Sequence, residues 1–164
     1  GSHYDPTAKK VVLSSECYSN RTLSSLVIAA HEVSHALQDH LGSKLLSIRT
    51  NLATMALGCK KIASFLLILS PVLTVFSKAP IIGLITILFG MLTMAVPVLL
   101  HIITLPVELD ASFNKALPIL RKGYLEEEQV PSARKILLAC ALTYFASSLA
   151  SLLNFWQWIR ILMS

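Results

Sequence analysis

The chain has 164 residues, of which 54% are apolar and 14% charged, with a formal net charge of +5. That length fits one domain, but a soluble domain is nearer 25% charged, and the excess apolar content lies in a few long stretches, which weighs against a soluble helical bundle. Cys17, Cys59 and Cys140 show neither paired nor C-x-x-C spacing, which excludes a disulfide framework and leaves them as small buried apolar residues. The basic residues are not interleaved with aromatics as in RNA binders, so nucleic acid is not an expected partner.

Gly1-Ser2-His3 reads as the scar of an expression tag, which removes functional weight from His3, and no signal peptide follows. Lys10 to Leu13, with Val11 and Val12, reads as a short strand beside the next helix, with an edge open to an extended peptide. Thr22 is the expected N-cap of that helix, which carries Leu23, Leu26, Val27, Ala29 and Ala30, then Ala36 and Leu37. Between them lies His31-Glu32-Val33-Ser34-His35, of the form H-E-x-x-H. Residues four apart share a helix face, about 6 Å apart along the axis. Two imidazoles at that spacing can hold one zinc ion, and the glutamate beside the first faces the open position where water binds. The surrounding apolar helix half-buries these ionisable groups, and a metal removes the cost.

A catalytic zinc takes three protein ligands and a water. His40 is five residues past His35, and Gln38 stands where a metzincin needs glycine, so His40 is a polar residue at the helix end. Beyond it come three charge-free windows: 16 residues between Lys61 and Lys78, 29 between Lys78 and Glu108, and 24 between Lys135 and Arg160. A membrane-spanning helix needs about 20 apolar residues. The windows predict spans near 62–77, 81–105 and 136–158, the first aided by snorkelling lysines, and Trp156 and Trp158 suit an interfacial belt. The expected fold is therefore an all-α integral membrane protein: one domain over 1–164, with the H-E-x-x-H helix, about three transmembrane helices and a short N-terminal strand. Basic residues cluster before the first span and between the second and third, which places those segments at the cytoplasmic face.

Glu108 is the best candidate for the third ligand. It follows the longest apolar window just past Pro106, between Val107 and Leu109, where a carboxylate needs a cation. Two crossings would return the chain to the face it left, so His31, His35 and Glu108 can meet there. The run Glu126-Glu127-Glu128 reads instead as a solvated loop and helix start. Candidate oxyanion donors are Tyr4, His101 and Tyr144.

Four segments, HYDPTAKKVVLS, AAHEVSHALQ, TLPVELDAS and ALTYFAS, together resemble the YugP-like membrane zinc metallopeptidases of bacteria, in order and spacing, over most of the chain. The resemblance implies a membrane-embedded, zinc-dependent peptidase with His31 and His35 as ligands and Glu32 as catalytic glutamate. Glu108 matches the glutamate of the family's V-E-F-D-A-S motif, with Leu109 in place of phenylalanine. That stretch also resembles the E-x-x-A-D pattern of gluzincins such as the HtpX and CAAX prenyl proteases, where the first glutamate binds zinc and the later aspartate orients a histidine. Here Ser112 holds the later position, so Ser112, Asp110 and Asp39 are candidates for the supporting role, or none of them takes it. Ser34 replaces the family's glycine before the second histidine. The family also carries a further membrane span ahead of the H-Y-D-P segment, so this chain is expected to lack that N-terminal part.

The expected function is zinc-dependent hydrolysis of a peptide or membrane-associated protein at the cytoplasmic face of a bacterial cell membrane. In it Glu32 acts as general base on a metal-activated water. Two other readings use the same motif. A site-two-type intramembrane protease would take Asp110 as third ligand, although Ala111 follows it where glycine is usual. A non-catalytic membrane scaffold would keep a structural zinc, although the complete ligand triplet with Glu32 weighs against it.

Overall fold

The computed structural model describes residues 1–77 and 102–143, with isolated positions at 81, 84, 85, 88, 89, 100 and 146. The chain opens with an antiparallel hairpin of β1 (His3–Asp5) and β2 (Lys10–Val12), in which Tyr4 pairs with Val11. The turn is held by Asp5, whose Oδ1 accepts from the amides of Thr7 and Ala8 at 2.8 and 3.0 Å, the Asx pattern favoured in tight turns. The expected strand near Lys10 is thus one of a pair, and both pack on the next long helix.

After α1 (Ser15–Ser19) comes α2 (Leu23–His40). Thr22 caps it, accepting from the Ser25 amide at 3.2 Å. At the other end Gly42 takes φ 67°, a left-handed conformation that suits glycine. Its amide donates to Asp39 O and the Ser43 amide to Gln38 O, at 3.0 and 2.9 Å. This paired closure is a Schellman motif. His40 is the last residue of the helix.

Helix α3 runs from Lys44 to Ser77. Residues 102–121 then form one continuous helix whose middle, Asp110–Ala116, is π-helical, with Leu117–Arg121 completing it. A short turn, Glu127–Gln129, precedes the helical residues 130–143, and Glu126 and Gln129 cap it reciprocally. The acidic run is therefore an exposed helix start. The core joins three helices: Val27 from α2, Ala116, Leu117 and Leu120 from the π-containing helix, and Val130, Ala133 and Leu137 from the last. Leucines and valines at three- and four-residue spacing put one apolar stripe of each helix inward.

The three-span membrane architecture is corrected. Among the described residues, no helix is long and apolar enough to cross a membrane. The window 62–77 is the C-terminal part of α3, and its 16 uncharged residues fall short of the roughly 20 that a span requires. Most of 81–105 and 136–158 lies outside the described residues. The described architecture is a small hairpin on a set of packed helices.

Candidate metal centre

Helix α2 buries His31, Ser34, His35 and Gln38, spaced i, i+3, i+4 and i+7, which is a single helix face. Ser34 is fully buried and donates to Ala30 O at 2.7 Å, so the position takes a serine without loss of helix. Facing this stripe is the π-containing helix. Its Glu108 is fully buried, and its Oε2 lies 3.2 Å from Nε2 of His31 and 3.2 Å from Nε2 of His35. The two imidazoles meet edge to face, with centroids 4.7 Å apart. Glu32 lies at the same place in the chain and is 9% exposed. With His31, His35 and Glu108 it lines a cavity of about 540 Å³, closed in part by Tyr4, Arg49 and Cys140.

The other ring nitrogens are also engaged. Ser112 Oγ lies 3.1 Å from His31 Nδ1 and donates to Leu137 O at 3.1 Å. Its single hydrogen is spent on a carbonyl, so it accepts from His31 Nδ1–H. Gln38 Oε1 lies 3.0 Å from His35 Nδ1, and an amide oxygen only accepts, so His35 Nδ1 also carries a hydrogen. Neutral rings of this tautomer aim their Nε2 lone pairs at a carboxylate oxygen. Three acceptors on one point need a cation between them, either extra protons on the rings or a metal.

The spacing suits a metal. Tetrahedral ligands with bonds of about 2.0–2.1 Å stand roughly 3.3 Å apart, close to the two 3.2 Å separations. These three residues are a group able to hold a metal ion among the described residues. Glu108 Oε1 supplies a second sign. Arg49 Nη1 is 3.1 Å away as an ion pair, but not aligned as a donor, so Oε1 is buried without a hydrogen bond. Burial alone would push the Glu108 carboxyl up. Its contacts with His31 and His35, with the Arg49 charge, outweigh it and hold the group down at about 2.

Asp110 does not join the cluster. It accepts from Asn114, Gln38 and Lys115 at 3.0, 2.7 and 2.5 Å, and these bonds hold its carboxyl below the usual range against the opposing effect of burial. It therefore does not touch a histidine ring directly. Asp39 is turned toward the hairpin, where it pairs with Lys9 and accepts from the Tyr4 hydroxyl at 2.5 Å. Ser112, at the position where an acid was expected, is the group on His31. His101 and Tyr144 lie outside the described residues, as does most of the route by which the chain returns from Ser77 to Glu108.

Two residues at the site had no role in the sequence pattern. Gln38 was legible as a polar side chain on the apolar face of α2. Arg49 had counted only as one of the basic residues before the first window, and no local signal ties it to Glu108.

The family described as "Putative neutral zinc metallopeptidase" matches residues 1–163. The chain belongs to this family. Among curated proteins, this zinc metallopeptidase family member is similar to "Putative membrane protease YugP" of Bacillus subtilis (strain 168), with 33% identity over 162 residues, covering 99% of this chain and 68% of the relative. No solved structure matches it. A zinc peptidase family implies a metal, and the buried His-His-Glu group is suited to one.

Proposed function

We propose that the protein is a zinc-dependent metallopeptidase in which His31, His35 and Glu108 hold the ion and Glu32 is the general base. The observation that carries this reading is the convergence of two Nε2 atoms and one carboxylate oxygen at 3.2 Å, beside Glu32 in a cavity able to admit a peptide segment. When bound there, zinc supplies Lewis-acid polarisation of a carbonyl and brings the pKa of a bound water to about 7. Glu32 takes the proton of the attacking water and passes it to the departing amine nitrogen. The two histidines and Glu108 are held from behind by Ser112, Gln38 and Arg49, so the site is set before substrate arrives.

The substrate class in this reading is a peptide or protein segment in extended form. Association with the bacterial cell membrane, with the cleft on the cytoplasmic side, is drawn from the relative's name and from the basic segments. Membrane fractionation checks it without assigning any spanning helix.

The deciding experiment is Glu32→Gln. The variant retains one zinc per chain, measured by metal analysis after gel filtration, and loses peptide cleavage by at least about 10²-fold, as expected for removal of a general base. Cleavage at the wild-type rate would remove Glu32 as the base. A wild-type chain that takes up no zinc would remove the metallopeptidase reading and leave only a packed buried cluster.

A further inference from the structure

Gln38 lies outside the H-E-x-x-H pattern, yet its side chain is 1% exposed and fully used. Its Oε1 is 3.0 Å from His35 Nδ1, and its Nε2 donates to Val107 O at 2.9 Å and to Asp110 Oδ2 at 2.7 Å. An amide has two donor hydrogens and one acceptor oxygen, and this set consumes both hydrogens. The opposite flip would set Oε1 against a carbonyl and a carboxylate that already accepts from Asn114 and Lys115, two repulsive contacts in a buried place. The partners of Nε2 therefore fix which end of the amide faces His35. That end is an oxygen, so His35 must carry a hydrogen on Nδ1, and Nε2 is the nitrogen left to face Glu108 and a metal.

The same amide ties two helices at the point where they matter. Gln38 belongs to α2, while Val107 and Asp110 flank Glu108 on the π-containing helix. The Gln38 backbone is itself pinned, because its carbonyl accepts the Ser43 amide in the Schellman closure. One side chain thus orients one prospective ligand and brackets another.

Building on the metallopeptidase reading, we propose that Gln38 is a positioning residue that sets the His35 tautomer, and that Asp110 acts on the metal centre through it. Asp110 supplies the acceptor that orients the amide, and the amide transmits that choice to the ring. The orienting acid sought among Asp110 and Asp39 is, on this view, Asp110 at one remove.

The test combines ring ¹⁵N NMR of zinc-loaded protein with zinc competition titrations on wild type, Gln38→Met, Asp110→Ala and the double variant. In wild type, His35 is expected to carry a proton on Nδ1 and metal on Nε2. Gln38→Met should weaken zinc binding about 10–100-fold, the range for loss of a group behind a metal ligand. Asp110→Ala should weaken it less and shift the His35 Nδ1 resonance, although Asp110 does not touch the ring. Asp110→Ala should have no further effect once Gln38 is gone. A wild-type His35 metallated on Nδ1 overturns the proposal, as does additivity in the cycle, or a Gln38→Met affinity within twofold of wild type. If Gln38→Met does not fold, the wild-type ring assignment and the Asp110→Ala shift still decide. Each of these failures can occur with zinc binding and Glu32-dependent cleavage intact, which separates them from failure of the metallopeptidase reading.

Discussion

Ser112 Oγ accepts from His31 Nδ1 across 3.1 Å, joining residues 81 positions apart. A hydroxyl thus holds the ring where gluzincin-like patterns place an acid. It can do so because Leu137 O takes its hydrogen, also at 3.1 Å. The last helix therefore anchors the ring through the serine. Ser112→Ala should leave His31 Nδ1–H unpaired, while Leu137 O keeps its place within the helix. Zinc affinity is expected to fall about 10–100-fold, measured by competition with a chromophoric chelator. Global stability should fall by about 1–3 kcal/mol, the cost of stranding a buried polar group.

Glu108 and Asp110 are two residues apart on one helix and have opposite surroundings. Glu108 is fully buried and faces both histidines. Asp110 is partly exposed and faces Lys115, Asn114 and Gln38. Glu108→Gln should therefore abolish stoichiometric zinc, while Asp110→Asn, which can still accept from Gln38, should retain it. Metal analysis of the two purified variants distinguishes these outcomes. The reverse result would make Asp110 the third ligand, as a site-two-type protease requires.

The H-E-x-x-H helix, its Thr22 cap and its end at His40 were legible because they depend on local chemistry: a hydroxyl before an apolar run, and histidines at one-turn spacing. Glu108 was legible because a carboxylate between Val107 and Leu109 had no other use. Gln38 and Ser112 could be picked out as candidates, but their ties to Asp110 and His31, like that of Arg49 to Glu108, join residues far apart in the chain, and spacing carries no sign of such contacts. The membrane architecture failed, among the described residues, for a different reason. Absence of charge marks apolar content, but a span needs about 20 apolar residues within one helix, and the 62–77 window is the 16-residue tail of an α3 whose earlier part carries Lys44, Arg49, Lys60 and Lys61.

The hairpin is docked by a pH-sensitive contact. Tyr4 donates to Asp39, and Lys9 pairs with the same carboxylate oxygen. Hydrogen bonds from Lys9 and Tyr4 hold the Asp39 carboxyl below its ordinary 3.8 against burial. Its contribution is therefore complete above that value and is lost as pH falls through the lower, folded value. Burial, then the hydrogen bond and charge of Asp39, push the Tyr4 hydroxyl from 10.0 up to about 12. Its contribution is complete below 10 and is lost as pH rises through about 12. Alkaline absorbance titration should show a tyrosine ionising near 12 in wild type and at a lower pH in Asp39→Ala, where the raising effect of burial remains. Amide resonances of residues 3–12 should show, below pH 4 in wild type, a shared movement beyond the local Asp5 titration at Thr7 and Ala8 that Asp39→Ala retains.

Zinc binding and folding should be linked through the same three atoms. The cluster brings a carboxylate and two imidazoles together across a helix interface, an arrangement the unfolded chain lacks. Free zinc at a hundred times its dissociation constant should then add about 2.7 kcal/mol to stability, seen as a rise in melting temperature that a chelator reverses. Glu32→Gln should show the full rise, because Glu32 is assigned to proton transfer and not to holding the ion. Glu108→Gln should show none, because its amide leaves one ligand position unfilled. An equal rise in all three proteins would place the stabilising ion elsewhere, and the 3.2 Å convergence of His31, His35 and Glu108 would then be a packed polar cluster held together by protons on the rings.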